Sequence, residues 1–196
     1  MDAQRLQLKI FVTPDSAKAV EPEAFIPVLH RWIKERVLPE LVVEVANYVH
    51  VPQGAGGVLI GHGSDYFMDE GDGRLGLLYS RKRAGPPPAE RLADLARRTL
   101  HAADLLERDP ALSGKLRFAT NELLFRVNDR LEAPSNDATF AALEPELGAL
   151  ARRLFGSPFE LTRKGGPKDL FAVRFTSPTS APLALLLERA GGAPAA

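Results

Sequence analysis

Residues 47–82, NYVHVPQGAGGVLIGHGSDYFMDEGDGRLGLLYSRK, hold two of the four histidines, all three tyrosines and a dense set of glycines and carboxylates. His62 stands three positions before Asp65, and an imidazole oriented by a carboxylate is the pattern of a general base. His62 and Asp65 are therefore the candidate catalytic pair. Asn47, Tyr66, Arg74 and Tyr79 are the candidate ligand contacts around them. If the turn over 52–57 is symmetric, Val51 faces Val58, Val49 faces Ile60 and Asn47 faces His62. All six then share one side of a sheet, because side chains repeat with period two. Four are aliphatic and expected to face the core, which would enclose the Asn47–His62 pair. A buried polar group left unpaired costs about 1–3 kcal/mol. The two either bond each other and the backbone, or line a pocket with Asp65 and Tyr66.

Other chemistries fit less well. The run Gly61-His62-Gly63-Ser64 lacks the strand-to-helix elbow that exposes a hydrolase serine. With no cysteine in the chain, thiolate catalysis, thiolate metal sites and disulfides are excluded. Asp65 and Asp69 on one strand would stand about 13 Å apart at ~3.3 Å per residue, too far for one cation. No metal and no cofactor are expected. Gly71-Asp72-Gly73-Arg74-Leu75-Gly76 matches a dinucleotide fingerprint in letters, but that motif needs a helix directly after it. Here Leu77-Leu78-Tyr79 continues as strand, with Gly76 expected opposite Phe67 if Asp69 pairs with Arg74. The loop 53–57 reads as a hairpin turn, and the basic run 81–83 as a solvated strand end.

The elements that must position these groups follow from periodicity. Leu6, Leu8, Ile10 and Val12 alternate with polar neighbours, a half-buried strand. Residues 13–16 end it, and Pro22 suits a helix start. Phe25, Leu29, Trp32 and Ile33 then recur at helical spacing. Strands are predicted over 41–51, 58–62, 65–69 and 74–80, with Asp72-Gly73 as a hairpin signal. Leu92, Leu95, Ala96, Leu100, Ala103 and Leu106 mark a helix. A strand over 123–127, a helix from a Ser135 or Asn136 cap through 154 with a kink at Pro145, a hairpin over 159–175 and a helix over 181–189 complete the chain.

The order repeats. Val12 precedes Phe25 as Val127 precedes Phe140, at a constant offset of 115 positions. The reading is a single α+β domain over 1–196, built from pseudo-repeat halves of about 1–110 and 111–190, with a flexible tail at 191–196. The alternating strands favour a two-layer antiparallel or mixed sheet with helices on one face, a duplicated strand-helix-strand-strand unit in a ferredoxin-like or related arrangement. The extra hairpin over 65–80 is the main asymmetry between halves. The other sheet face would present Gln7, Lys9, Glu44, Tyr48, His50, Arg126, Glu160, Thr162 and Arg174, either solvated or covered by a partner.

Basic and acidic residues balance at 25 each, so no net charge draws the chain to nucleic acid or anionic lipid. No run approaches the roughly 18 apolar residues of a membrane helix. The first residues lack a signal-peptide pattern, and a cytoplasmic location is expected. Two functions remain. The first is a non-catalytic interaction or ligand-binding protein that uses the open sheet face, or the region 47–81, to meet a small molecule, a protein partner or another copy of itself. The second is a small-molecule hydrolase or lyase with His62 as base.

Overall fold

In the computed structural model, which describes residues 3–83, 85–112, 114–156 and 158–194, Leu6–Val12 form β1 near the middle of an eight-stranded sheet. The other strands are β2 (Val42–Tyr48), β3 (Gly56–Gly61), β4 (Ser64–Asp69), β5 (Gly76–Arg81), β6 (Phe118–Val127), β7 (Glu160–Lys164) and β8 (Phe171–Thr176). Their order is β2-β3-β4-β5-β1-β6-β8-β7, and every ladder is antiparallel. Of the expected antiparallel or mixed sheet, the antiparallel form is the one found. Five α-helices are described: α1 (Pro14–Ala19), α2 (Phe25–Glu35), α3 (Arg91–Arg108), α4 (Asp137–Phe155) and α5 (Leu183–Ala190).

The helices cover one face. Leu59, Tyr66, Tyr79, Leu8, Phe125 and Val173 stand in register across six strands and belong to one apolar cluster with Phe25, Leu29 and Trp32 of α2 and Leu95 and Leu100 of α3. The next row along the strands, Val58, Phe67, Leu78, Lys9, Leu124 and Arg174, faces the other way. A small separate cluster of Phe11, Leu124 and Ala172 lies on that helix-free face.

Local chemistry explains the ends. α2 stops where Arg36 turns left-handed at φ 50°. α4 is capped by Asn136, whose Oδ1 accepts from the Thr139 N–H at 2.9 Å, and runs continuously through Pro145. The residues after β1, expected as a terminating loop, instead wind into α1, with Pro14 at its first turn. Gly191 and Gly192 cap α5 by donating to Glu188 O and Leu187 O, both at 2.9 Å. The tail expected from 191 is therefore tied down at its start, and residues 195–196 lie outside the described chain.

Two registers differ from expectation, and that of β2 with β3 bears on the site. Asn47 pairs with Gly57 and Tyr48 with Gly56, rather than Asn47 with His62. The shift is five residues, an odd number, so it turns one strand's side chains to the opposite face. The glycines over 56–57 belong to the strand and not to the turn. Gly56 sits at φ +60°, where a Cβ would lie 2.1 Å from Met68 O, and a Cβ on Gly57 would lie 3.0 Å from Ile26 Cδ1 of α2. The connection is correspondingly the longer segment 49–55. In the second hairpin Asp69 pairs with Gly76 and Phe67 with Leu78, a shift of two that keeps the faces unchanged.

Candidate functional site

The six residues singled out from the sequence are dispersed over the molecule, and only the side chains of Tyr66 and Tyr79 touch. His62 is exposed between β3 and β4, its N–H donating to Leu41 O. Asp65 is on the open face, where Oδ1 accepts from the Gly61 N–H at 3.2 Å and pairs with Lys82 at 2.7 Å. Asn47 is exposed on the edge strand β2, its Oδ1 accepting from the Val49 N–H. The confrontation of Asn47 with His62 inside the protein, on which the general-base arrangement depended, is absent. Both side chains face solvent from different positions, because the turn is longer than the symmetric one assumed.

Tyr66 and Tyr79 lie on the helix side. Their rings pack edge to face with centroids 5.0 Å apart, each 1% exposed. Glu40 receives hydrogen bonds from the Tyr66 and Ser64 hydroxyls and has Arg98 at 3.5 Å. Beside them, Asp94 of α3 accepts from Arg81, Arg97 and Arg98. Burial, and then the charge of Glu40, pushes the Tyr79 hydroxyl up to about 12 and raises Tyr66 in the same direction. This network closes the junction between sheet and helix over both rings, while Arg81 Nε, Arg97 Nε and Arg98 Nη1 are enclosed without a hydrogen-bond acceptor among the described residues.

Arg74 is the exception. It points onto the helix-free face, into a pocket of about 230 Å³ whose floor is Phe11, Leu124 and Ala172. Around this floor stand Arg74, Arg126, Arg174 and Lys164, with Glu122 and Asp72 between them. The Arg74 guanidinium stacks 4.1 Å from the Phe11 ring centroid. Its Nη1 donates to both Glu122 oxygens at 2.8 and 2.9 Å, and Arg174 reaches the same carboxylate at 2.7 Å. Arg126 pairs with Asp72. Arg174 Nε is enclosed and has no acceptor among the described residues.

Lys9 underlies one wall. It is fully buried although it faces away from the helices, because the short turn Gly71–Gly73 closes over it. Its Nζ donates to Asp69 at 2.6 Å and to Gly71 O at 2.7 Å, with Asp72 at 3.7 Å. Burial lowers its pKa, and the hydrogen bond and charge of Asp69 oppose that shift. Asp72 at φ +63° is the non-glycine residue held left-handed in this turn.

The lining presents hydrogen-bond donors on three guanidinium groups and one ammonium group. Guanidinium groups do not give up a proton at any ordinary pH. Glu122 is clamped between Arg74 and Arg174, and Asp72 lies between Arg126 and Lys9, so both carboxylates already have cationic partners. Among the described residues, no group of three or more His, Asp or Glu side chains could hold a metal ion, and no helix is long and apolar enough to cross a membrane.

Arg126 and Arg174 were visible from the sequence as open-face residues, but not as partners of Arg74. The β4–β5 connection, β6 and β8 supply these groups from distant parts of the chain, and the order β5-β1-β6-β8 brings them together. The available signal was phase: charges at 122, 126 and 174 interrupt otherwise apolar central strands on the side opposite the helices. No protein-family model, curated protein or solved structure matches the chain.

Proposed function

We propose that this chain is a non-catalytic binding protein whose ligand is a small organic anion, held on the open sheet face by Arg126, Arg174, Arg74 and Lys164 over the floor of Phe11, Leu124 and Ala172. The carrying observation is the convergence of four cations and only two carboxylates on one pocket with an apolar base. Arginine forks match carboxylate and phosphate oxygens in pairs. The floor accepts an apolar or aromatic body, so a carboxylate carrying a ring fits better than a bare inorganic ion.

Isothermal titration with benzoate and with inorganic phosphate tests the reading. Benzoate is expected to bind more tightly than phosphate. Arg126→Gln combined with Arg174→Gln is expected to remove most of that affinity while leaving the melting temperature near that of the parent. Equal benzoate affinity in parent and variant would sink the proposal.

The proposed origin of the fold is a duplication of a strand-helix-strand-strand unit of ferredoxin-like type. What supports it is the matching order of β1-α2-β2-β3-α3 and β6-α4-β7-β8-α5 once α1 and the β4–β5 hairpin are set aside. Setting aside β4 and β5, the neighbours run β1-β3-β2 in one half and β6-β8-β7 in the other. The β4–β5 hairpin is then an insertion in the first half. Its connection supplies Arg74, Asp72 and the cap on Lys9, so the asymmetric part of the chain contributes to the asymmetric pocket.

A further inference from the structure

The cationic surface continues past Lys164. On the open face Gln7, Arg126, Ala172 and Lys164 form one row in register. The β1–β6 ladder runs on in the same register, with the Asn128 N–H donating to Arg5 O at 2.8 Å. Alternation carries Arg5 and Asn128 to the same face as Gln7 and Arg126, about 6.6 Å further along the strands. A second hollow, of about 740 Å³, opens there, and its lining includes Arg5, Asn128, Asp129, Arg130, Leu131 and Lys168. Arg130 Nη1 donates to Lys168 O at 3.1 Å and ties the two loops that form the rim. Leu131, 94% exposed, stands beside them.

Together the two hollows present seven cations and three carboxylates, an excess of four positive charges in a chain whose total charge is zero. We propose that they form one track that binds an extended acidic peptide segment, with carboxylates at alternate positions and apolar residues between, lying along β1, β6 and β8. The proposal rests on the anion-binding reading above and names the class of ligand that fills the whole face.

Geometry favours a peptide. The span from Phe11 to Arg5 is six residues of strand, about 20 Å at ~3.3 Å per residue, the reach of roughly six residues of extended peptide. Same-side groups of such a peptide recur every two residues, about 6.6 Å apart, the repeat of the rows beneath. The resident carboxylates Glu122, Asp72 and Asp129 interrupt the positive surface at intervals, which suits separated charges better than a continuous phosphate chain. Single-stranded nucleic acid would also need aromatic faces on which to stack bases. The described linings of the two hollows hold a single aromatic ring, Phe11, too few for successive bases to stack. Leu131 offers an apolar contact at the outer end.

The test is fluorescence anisotropy with the full chain near physiological ionic strength. The probes are a labelled peptide of alternating Glu and Val, its Gln–Val counterpart, and a labelled oligothymidylate of similar length. The Glu–Val peptide is expected to bind about tenfold more tightly than either of the others. Arg130→Gln with Lys168→Gln, both exposed positions, is expected to weaken the peptide about tenfold while leaving benzoate affinity unchanged. If benzoate binds as before and the peptide ignores the outer substitutions, the track is overturned and the inner pocket stands. Tighter binding of oligothymidylate, with a steep loss in salt, makes the face a nucleic-acid groove and overturns the proposal. If neither benzoate nor peptide binds, both readings fall together.

Discussion

Gly76 lies where the Lys9 side chain crosses the open face: a Cβ built on Gly76 would stand 2.8 Å from Lys9 Cε and 2.6 Å from Ile10 O. One contact is with a flexible stem, but the other is with backbone in a central ladder and has no room to yield. The missing side chain of a glycine thus creates the channel through which a buried ammonium reaches Asp69 and Gly71 O. Gly76→Ala is predicted to destabilise the fold by roughly 1–3 kcal/mol, the usual cost of overpacking. Urea unfolding followed by fluorescence measures it. A midpoint unchanged from the parent would show that β1 and β5 separate freely at this point and that the channel is not required.

Asp94 gives an acid-side prediction. Burial alone would raise its carboxyl, but hydrogen bonds from Arg97 and Arg98 and the charge of Arg81 bring it below the ordinary value of 3.8. A carboxylate with a depressed folded pKa contributes stability that is complete above the unfolded value and is lost as pH falls through the folded one. Asp94→Asn should therefore flatten the stability profile below pH 3.8 relative to the parent. Asp94→Ala removes the partner of a buried Arg81 and should cost about 3 kcal/mol at neutral pH. A loss below about 0.5 kcal/mol, the range of ordinary surface changes, would mean that Arg81 finds another acceptor.

On the alkaline side the tyrosines decide. The Tyr79 hydroxyl moves from 10.0 to about 12, so the folded state keeps its proton after the unfolded state has lost it. Its contribution is fully present below pH 10 and disappears as pH rises from 10 to about 12. At ~1.4 kcal/mol per unit this amounts to roughly 2–3 kcal/mol. Lys9 has the opposite sign: its lowered value makes its contribution improve as pH climbs toward 10.5. Alkaline unfolding in the parent should consequently be steep above pH 10 and shallower in Tyr79→Phe. Equal slopes in the two proteins would remove Tyr79 from the explanation.

Most of the elements were readable from the amino-acid order because their periodicities do not compete. Leu6, Leu8, Ile10 and Val12 alternate cleanly, and Leu92, Leu95, Ala96 and Leu100 recur only as a helix does. The β2–β3 register was not readable. Valines at 42, 43, 45, 49 and 51 satisfy either face of a strand, so pattern could not choose between pairings five residues apart. Backbone approach made the choice, at Gly56 against Met68 O and Gly57 against Ile26. That choice moved Asn47 away from His62 and dissolved the expected pair. Arg74 stood among the candidate ligand contacts, but grouped with its neighbours in sequence. Its actual companions, Arg126 and Arg174, come from β6 and β8 and meet it through sheet order, which no local pattern encodes.

The pocket already contains its own anions, and this makes the anion-binding reading testable from the opposite direction. Asp72 holds Arg126 from a turn in which it adopts φ +63°, a conformation costly for a residue with a side chain. Glu122 occupies Arg74 and Arg174 together. An incoming carboxylate must compete with both for the same guanidinium donors. Neutralising an internal competitor should strengthen external binding, provided the arginines keep their places over Phe11. Asp72→Asn is predicted to tighten benzoate about threefold to tenfold, equivalent to roughly 0.7–1.4 kcal/mol. Glu122→Gln should act in the same direction, since it releases two arginines while the side chain keeps its size. Titration of both variants against the parent checks this. If either substitution weakens benzoate, the internal carboxylates are holding the arginines in a binding geometry rather than competing with the ligand, and the competition mechanism is excluded.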